Sequence, residues 1–181
     1  MRKFLFAILS VCAIALTSCA EGDGDLDYGL MKIYIPQAMA GGGINNIYNV
    51  PAGGGEYTTN FEVDGDNINV HLGVLRSGKA AGDSFTVDIQ VSDEQSAAQA
   101  AALGAEAMPA SVYSLPSSVK VEAGHNSASF SLVLSRQALS SQSGKKLVLC
   151  IGLANPSKYE LSENGTVVTV LVDVDALVSS I

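Results

Sequence analysis

The sequence predicts an all-β fold, a two-sheet antiparallel β-sandwich with one short helix around residues 93–103. Three observations carry that prediction. Segments of strict apolar–polar alternation recur along the chain, the mark of strands with one buried and one wet face. They form about seven to nine short strands at regular spacing, punctuated by Gly, Pro, Asn and Asp. Helical character is confined to one segment, and no strand–helix–strand alternation occurs, which argues against a parallel α/β sheet. Immunoglobulin-like topology is the default arrangement for such a pattern. The Cys–Trp–Cys core of antibody domains is absent, because the chain has no Trp.

Each element has its own warrant. "LMKIYIP" (30–36) reads as a first strand stopped by Pro36. "GGGINNIYNVPAGGG" (41–55) holds a short strand at 47–50 between glycine triplets, and "EYTTNFEV" (56–63) is rich in β-formers. "DGDN" (64–67) is turn chemistry, since Asp-Gly tolerates the positive φ of tight hairpins. "INVHLGVL" (68–75) puts Ile68, Val70, Leu72 and Val74 on one face. "SFTVDIQV" (84–91) puts Phe85, Val87, Ile89 and Val91 on one face and Ser84, Thr86, Asp88 and Gln90 on the other. Ser92 followed by Gln95 is a capping box. "DEQSAAQAAAL" (93–103) is built on alanine, the strongest helix former, and Gly104 can close the helix in a left-handed cap.

Pro109 and "PSS" (116–118) punctuate before a short strand and turn at 119–124. "SASFSLVLS" (127–135) has Phe130, Leu132 and Leu134 on one face, and 136–144 reads as a turn or single helical turn. "KKLVLCIGL" (145–153) has Leu147, Leu149, Ile151 and Leu153 on one face and Val148 and Cys150 on the other. A strand apolar on both faces is central or covered. "NGT" (164–166) reads as a hairpin signal before a last strand at 167–174.

The N-terminus is organised differently. Met1, Arg2 and Lys3 precede a thirteen-residue run, Phe4 to Leu16, interrupted only by Ser10. That run is too short to span about 30 Å of hydrocarbon comfortably. A basic start, a short apolar core and small residues before a cut site make an export signal. Leu16-Thr17-Ser18-Cys19 resembles a bacterial lipobox, in which the cysteine becomes the first residue and carries lipid. Acyl chains contribute about 0.8 kcal/mol per buried methylene, and several together anchor stably. The expected organisation is therefore a lipoprotein signal peptide at 1–18, an acidic Gly-rich tether at 19–29 and one β-sandwich domain at 30–181. The chain without its signal has 163 residues (181 − 18), enough for a real core.

The full chain carries a net charge of −8. Losing Arg2 and Lys3 leaves 8 basic against 18 acidic residues, a net charge of −10. Such a surface repels phosphate backbones, so nucleic acid is not an expected partner. Cys12 leaves with the signal and Cys19 is the lipidation candidate, so Cys150 has no partner for a disulfide and reads as a small buried hydrophobe.

Catalytic and metal constellations are not found. Asp23, Asp25 and Asp27 mimic the start of a calcium loop, but its sixth and twelfth positions, which need Gly and Glu, are Tyr28 and Tyr34. His71 and His125, the only histidines, read as surface residues. Asp64, Asp66, Asp88, Glu122, Glu160 and Glu163 fall mostly in turns or on wet faces. The glycine triplets lack the Lys and helix of a phosphate cradle. No enzyme activity and no cofactor are expected. One constellation fits a ligand: Tyr48 within "INNIYN", beside Asn45, Asn46 and Asn49, resembles a sugar-contacting loop. The same asparagines can equally serve local turn hydrogen bonds.

Four stretches, "MKIYIPQA" (31–38), "LGVLRSG" (72–78) with "FTVDIQV" (85–91), "MPASVYSLPSSVKVEAGHNSASFSLVL" (108–134) and "LVLCIGLANPSKYEL" (147–161), together resemble a DUF1735-type domain. This is a Bacteroidota domain of unknown function found near the N-terminus of surface lipoproteins. The most distinctive step is Pro109, Tyr113, Leu115 and Pro116, followed by a strand, a turn at Gly124 and another strand. The resemblance covers about residues 30–175.

It implies an immunoglobulin-like sandwich that accompanies outer-membrane polysaccharide-uptake systems, often ahead of glycan-binding or glycosidase-like domains, and it supplies no catalytic residues. The sequence departs from that layout in stopping near Ile181 without a partner domain. "CAEGDGD" is similar to the surface-export signal of the same phylum, loosened by Gly22 and Gly24. The expectation is a non-catalytic, lipid-anchored outer-membrane module facing the cell exterior, with polysaccharide or outer-membrane uptake proteins as partners. The alternative is a structural or adhesive protein-interaction module.

Overall fold

The computed structural model describes residues 31–39, 46–52, 60–78 and 82–181. The signal-like segment, the tether, Cys19 and Asn45 lie outside the described residues. Two six-stranded sheets pack face to face.

The first sheet contains β1 (Lys32–Tyr34), β3 (Phe61–Asp64), β4 (Asn67–Arg76), β7 (Tyr113–Ser114), β9 (Ser127–Ser135) and β11 (Glu160–Leu161). Its order is β11-β1-β4-β9-β7, with β3 also joined to β4. The second contains β2 (Ile47–Val50), β5 (Phe85–Val91), β6 (Glu106–Ala107), β8 (Ser118–Val121), β10 (Lys146–Ala154) and β12 (Val167–Asp173). Its order is β2-β12-β10-β5-β8, with β6 also joined to β10.

Alternation places the core as expected. Ile68, Val70, Leu72 and Val74 of β4 meet Phe130, Leu132 and Leu134 of β9 from one side. Phe85, Val87 and Ile89, then Leu147, Leu149 and Ile151, then Val168, Val170 and Val172 close it from the other. The Asp-Gly turn joins β3 to β4, with Asp64 opposite Asn67 and Gly65 at φ 57°.

The predicted helix is α1 (Asp93–Leu103). Ser92 Oγ accepts the Gln95 N–H, and Gly104 ends the helix at φ 62°. Asp93 and Glu94 place negative charge at the positive end of the helix dipole. The helix lies against the outer face of the second sheet, where Ala100 packs with Val148 and Cys150. This is why β10 is apolar on both faces: it is central and also covered.

Three expectations need correction. First, the sheets are not purely antiparallel, because β1–β11, β6–β10 and β2–β12 run parallel. The two-sheet sandwich stands, but this strand order does not establish immunoglobulin-like topology. Second, the Asn-Gly-Thr signal at 164–166 does not close a hairpin. Gly165 does turn at φ 78°, but β11 before it pairs in the first sheet and β12 after it in the second. The turn is a crossover. Third, the last strand stops at Asp173, whose carboxylate caps a further helix, α3 (Val174–Ser179), by accepting the Ala176 N–H. The short α2 (Arg136–Ser140) is the single helical turn anticipated at 136–144.

Candidate functional site: an amide-lined surface at Asn46

β2 forms because Ile47 to Val50 register against Thr169 to Val172 of β12. Tyr48 and Val50 are two residues apart and therefore share a face. Val50 is 1% exposed, so that face is the core face, and Tyr48 goes with it. The ring is half-buried against the core. Burial raises the Tyr48 pKa, partly opposed by a hydrogen bond to the Asn60 side chain. Asn60 also accepts from Ala52 N at 2.8 Å and donates from Nδ2 to the Asn49 carbonyl at 2.8 Å. Tyr48 is thus a packing residue within β2. Asn49 is exposed, with its backbone held by Asn60.

Asn46 is different. Its carbonyl accepts from Thr169 N at 2.8 Å, and its Nδ2 donates to the Val167 carbonyl at 3.2 Å. Both bonds fix it at the start of the β2–β12 pairing. Two shallow depressions meet at Asn46 and Val167. One, of about 340 Å³, is lined by Gln95, Ala98 and Gln99 of α1 over a floor of Cys150 and Thr169. The other, of about 310 Å³, is lined by Ala38, Met39, Glu163, Asn164, Gly165 and Thr166.

The helix wall is held rigidly. β5 pairs with residues 151–154 of β10, and β6 pairs with 147–148 on the same side, which leaves a gap at Cys150. The first turn of α1 fills it. Ser92 N donates to the Cys150 carbonyl at 3.1 Å, and Cys150 N donates to Ser96 Oγ at 2.9 Å. Ser96 Oγ in turn donates to the Ser92 carbonyl at 2.7 Å. The buried Cys150 Sγ lies 3.6 Å from Thr169 Oγ1.

Of the four predicted ligand contacts, the structure therefore keeps Asn46 at a depression, buries much of Tyr48, leaves Asn49 exposed in β2, and does not describe Asn45. Gln95, Gln99, Glu163 and Asn164 were not anticipated. Gln95 and Gln99 were within reach of the sequence, because residues four apart share a helix face.

Among the described residues, no tyrosine or phenylalanine ring is highly exposed. Tyr159 has Arg76 4.8 Å and Lys158 5.7 Å from its ring centroid and Phe85 edge-on at 5.5 Å, so it offers no open stacking platform. Of the candidate carboxylates, Glu122 pairs with Lys120, Glu160 with Lys32, and Asp88 accepts from Asn155. His71 and His125 are exposed, as anticipated. Among the described residues no cluster of His, Cys, Asp and Glu could hold a metal, and no helix is long and apolar enough to cross a membrane. β12 is paired on both sides, whereas the outer edge of β9 from Ser127 to Leu132 has no strand partner among the described residues.

Two packed sheets with one covering helix and an amide-lined surface define an all-β sandwich domain. A family model described as "-like, N-terminal domain" matches residues 34–160, and the chain belongs to that family of N-terminal domains. The match includes Asn46, Gln95 and Gln99 and ends before β12. No curated protein matches the sequence.

Among solved structures, a "putative carbohydrate binding protein" of Bacteroides ovatus is similar, with a TM-score of 0.53 and 16% identity, over 78% of this chain and 36% of that one. A two-domain protein of unknown function from Bacteroides fragilis gives 0.50 and 14%, over 79% and 45%. A multidomain Bacteroides ovatus protein including DUF1735 gives 0.44 and 16%, over 70% and 44%. The chain thus spans less than half the length of these proteins. At such identities the likeness is one of fold, and none of these descriptions names a catalytic activity.

Proposed function

We propose that this chain is a non-catalytic glycan-binding or accessory module of an outer-membrane polysaccharide-uptake system, lipid-anchored through Cys19 and facing the cell exterior. The observation that carries the binding reading is the pair of amide-lined depressions meeting at Asn46. Amide side chains both donate and accept, which suits sugar hydroxyls. A similar fold in the Bacteroides ovatus carbohydrate-binding candidate supports the reading. The anchor reading rests on the lipobox-like Leu16 to Cys19, and the outward-facing reading on the acidic residues after it.

Native affinity electrophoresis of the purified chain in polysaccharide gels tests the binding reading: retardation by at least one glycan is expected, and migration unchanged in all refutes it. Labelled-palmitate incorporation that disappears in Cys19→Ala tests the anchor, and removal by protease from intact cells tests the outward orientation. The adhesive alternative draws support from the outer edge of β9 from Ser127 to Leu132, which has no strand partner among the described residues, since an unpaired edge can accept a strand. It predicts self-association or capture of an extended peptide, read by sedimentation.

A further inference from the structure

We propose that the surface at Asn46 takes an uncharged, hydroxyl-rich glycan segment, laid across Asn46 and Val167 so that neighbouring sugar rings occupy the two depressions. This deepens the glycan-binding reading and rests on it. Three features select the ligand.

The first is charge. Neither depression is lined by Lys or Arg, and the only carboxylate is Glu163. A uronic or sulfated sugar would bring its negative charge towards Glu163 on a chain of net charge −8, without a cation to receive it. A neutral sugar instead finds in Glu163 an acceptor for its hydroxyls.

The second is the contact chemistry. Among the described residues no ring stands open on this surface, so recognition runs through hydrogen bonds. Gln95, Gln99, Asn46 and Asn164 supply amides on both walls, while Met39, Ala98 and Val167 supply small apolar contacts. Hydroxyls with intervening C–H faces match that mixture.

The third is preorganisation. The Asn46 amide is already aimed by its bond to the Val167 carbonyl, and α1 is pinned to β10 through Ser92 and Ser96. Binding therefore orders few side chains, which limits its entropic cost. The shared residues Asn46 and Val167 make the depressions one continuous surface.

The test is affinity electrophoresis of the full chain and two variants in matched gels. Neutral polysaccharides (β-glucan, xylan, galactomannan, mannan, levan) are compared with acidic ones (polygalacturonate, alginate, chondroitin sulfate). The variants are the double substitution Gln95→Ala with Gln99→Ala, and Glu163→Gln. Both glutamines sit on the outward side of α1, where alanine keeps the helix. A neutral glycan should retard the chain, and the double variant should bind it about two- to tenfold more weakly for each amide lost. Glu163→Gln should retain the neutral glycan, because an amide still accepts.

Stronger retardation by acidic glycans would overturn the ligand class. Neutral retardation unchanged in the double variant would overturn the location while leaving the glycan-binding reading intact. Retardation by no glycan would overturn that reading itself. Equal circular dichroism melts for all three proteins exclude unfolding as the cause of any loss.

Discussion

Gly82→Ala should destabilise the fold through a single contact. Arg76, at the end of β4, is completely buried, and its guanidinium lies over the Tyr159 ring. A Cβ at position 82 would fall 1.5 Å from Arg76 Nη1, 2.3 Å from Cζ and 2.5 Å from Nη2. Such an overlap is usually cheap when a long side chain can swing into solvent. Here it cannot, because the side chain is enclosed. The Gly82 backbone is held as well, since its carbonyl accepts from Gly124 N at 3.0 Å.

Overpacking of this kind costs about 1–3 kcal/mol. In a chain of this size each kcal/mol lowers the melting temperature by about 2–4 °C, so Gly82→Ala should melt roughly 3–10 °C below the parent. Thermal circular dichroism reads this directly. A double-mutant cycle with Arg76→Met assigns the cause: with the guanidinium gone, the alanine should cost less, with a coupling of at least about 0.5 kcal/mol. A melt within about 1 °C of the parent, or strict additivity with Arg76→Met, would refute the reasoning.

Other substitutions probe separate supports. Ser96→Ala strands the buried Cys150 N–H and should cost about 1–3 kcal/mol in chemical denaturation, whereas Ser96→Thr should recover part of it. Leu132→Ala, at the centre of β9 and fully buried, should cost about 2–5 kcal/mol by the same measurement. Asp173→Ala removes the cap of α3 and should cost about 1 kcal/mol, with Asp173→Asn nearer the parent. The backbone N–H of Ala176, then Lys146, hold the Asp173 carboxyl below its usual pKa. A depressed carboxylate stabilises above its unfolded value and loses that contribution as pH falls through the folded one. Protection factors for hydrogen exchange in α3, taken against the intrinsic rate at each pH, should therefore fall below about pH 4 in the parent and show no such step in Asp173→Ala.

Period-two alternation carried most of the fold, because burial on one face leaves a direct imprint on residue order. β5 is the clearest case: Phe85, Val87 and Ile89 are buried while Thr86 and Asp88 are partly wet. The helix was equally legible, since Ser92, Gln95 and Gly104 mark its ends by local chemistry. What the sequence hid was partner choice. "NGT" contains a genuine turn, but nothing local says that the strands beside it belong to different sheets. α3 was hidden because Val174 continues an apolar run, and only the cap at Asp173 interrupts it.

The site was half legible for a related reason. Asn-rich composition pointed to the segment that sets Asn46 beside two depressions, but alternation counted from Val50 turns Tyr48 inward. The glutamines that face Asn46 come from an element about fifty residues away, brought there by the gap between β5 and β6.

The first two strands pair with very late ones. Lys32 of β1 sits beside Glu160, 128 positions along the chain, and β2 lies against residues 169–172. A chain emerging from its N-terminal end therefore carries two strands with no parallel mate until residues 160–172 have been made. Such long-range closure slows folding. It also makes the two strands a pair of stitches: each fastens one sheet, and both seams stay open on their parallel side until that distant stretch arrives.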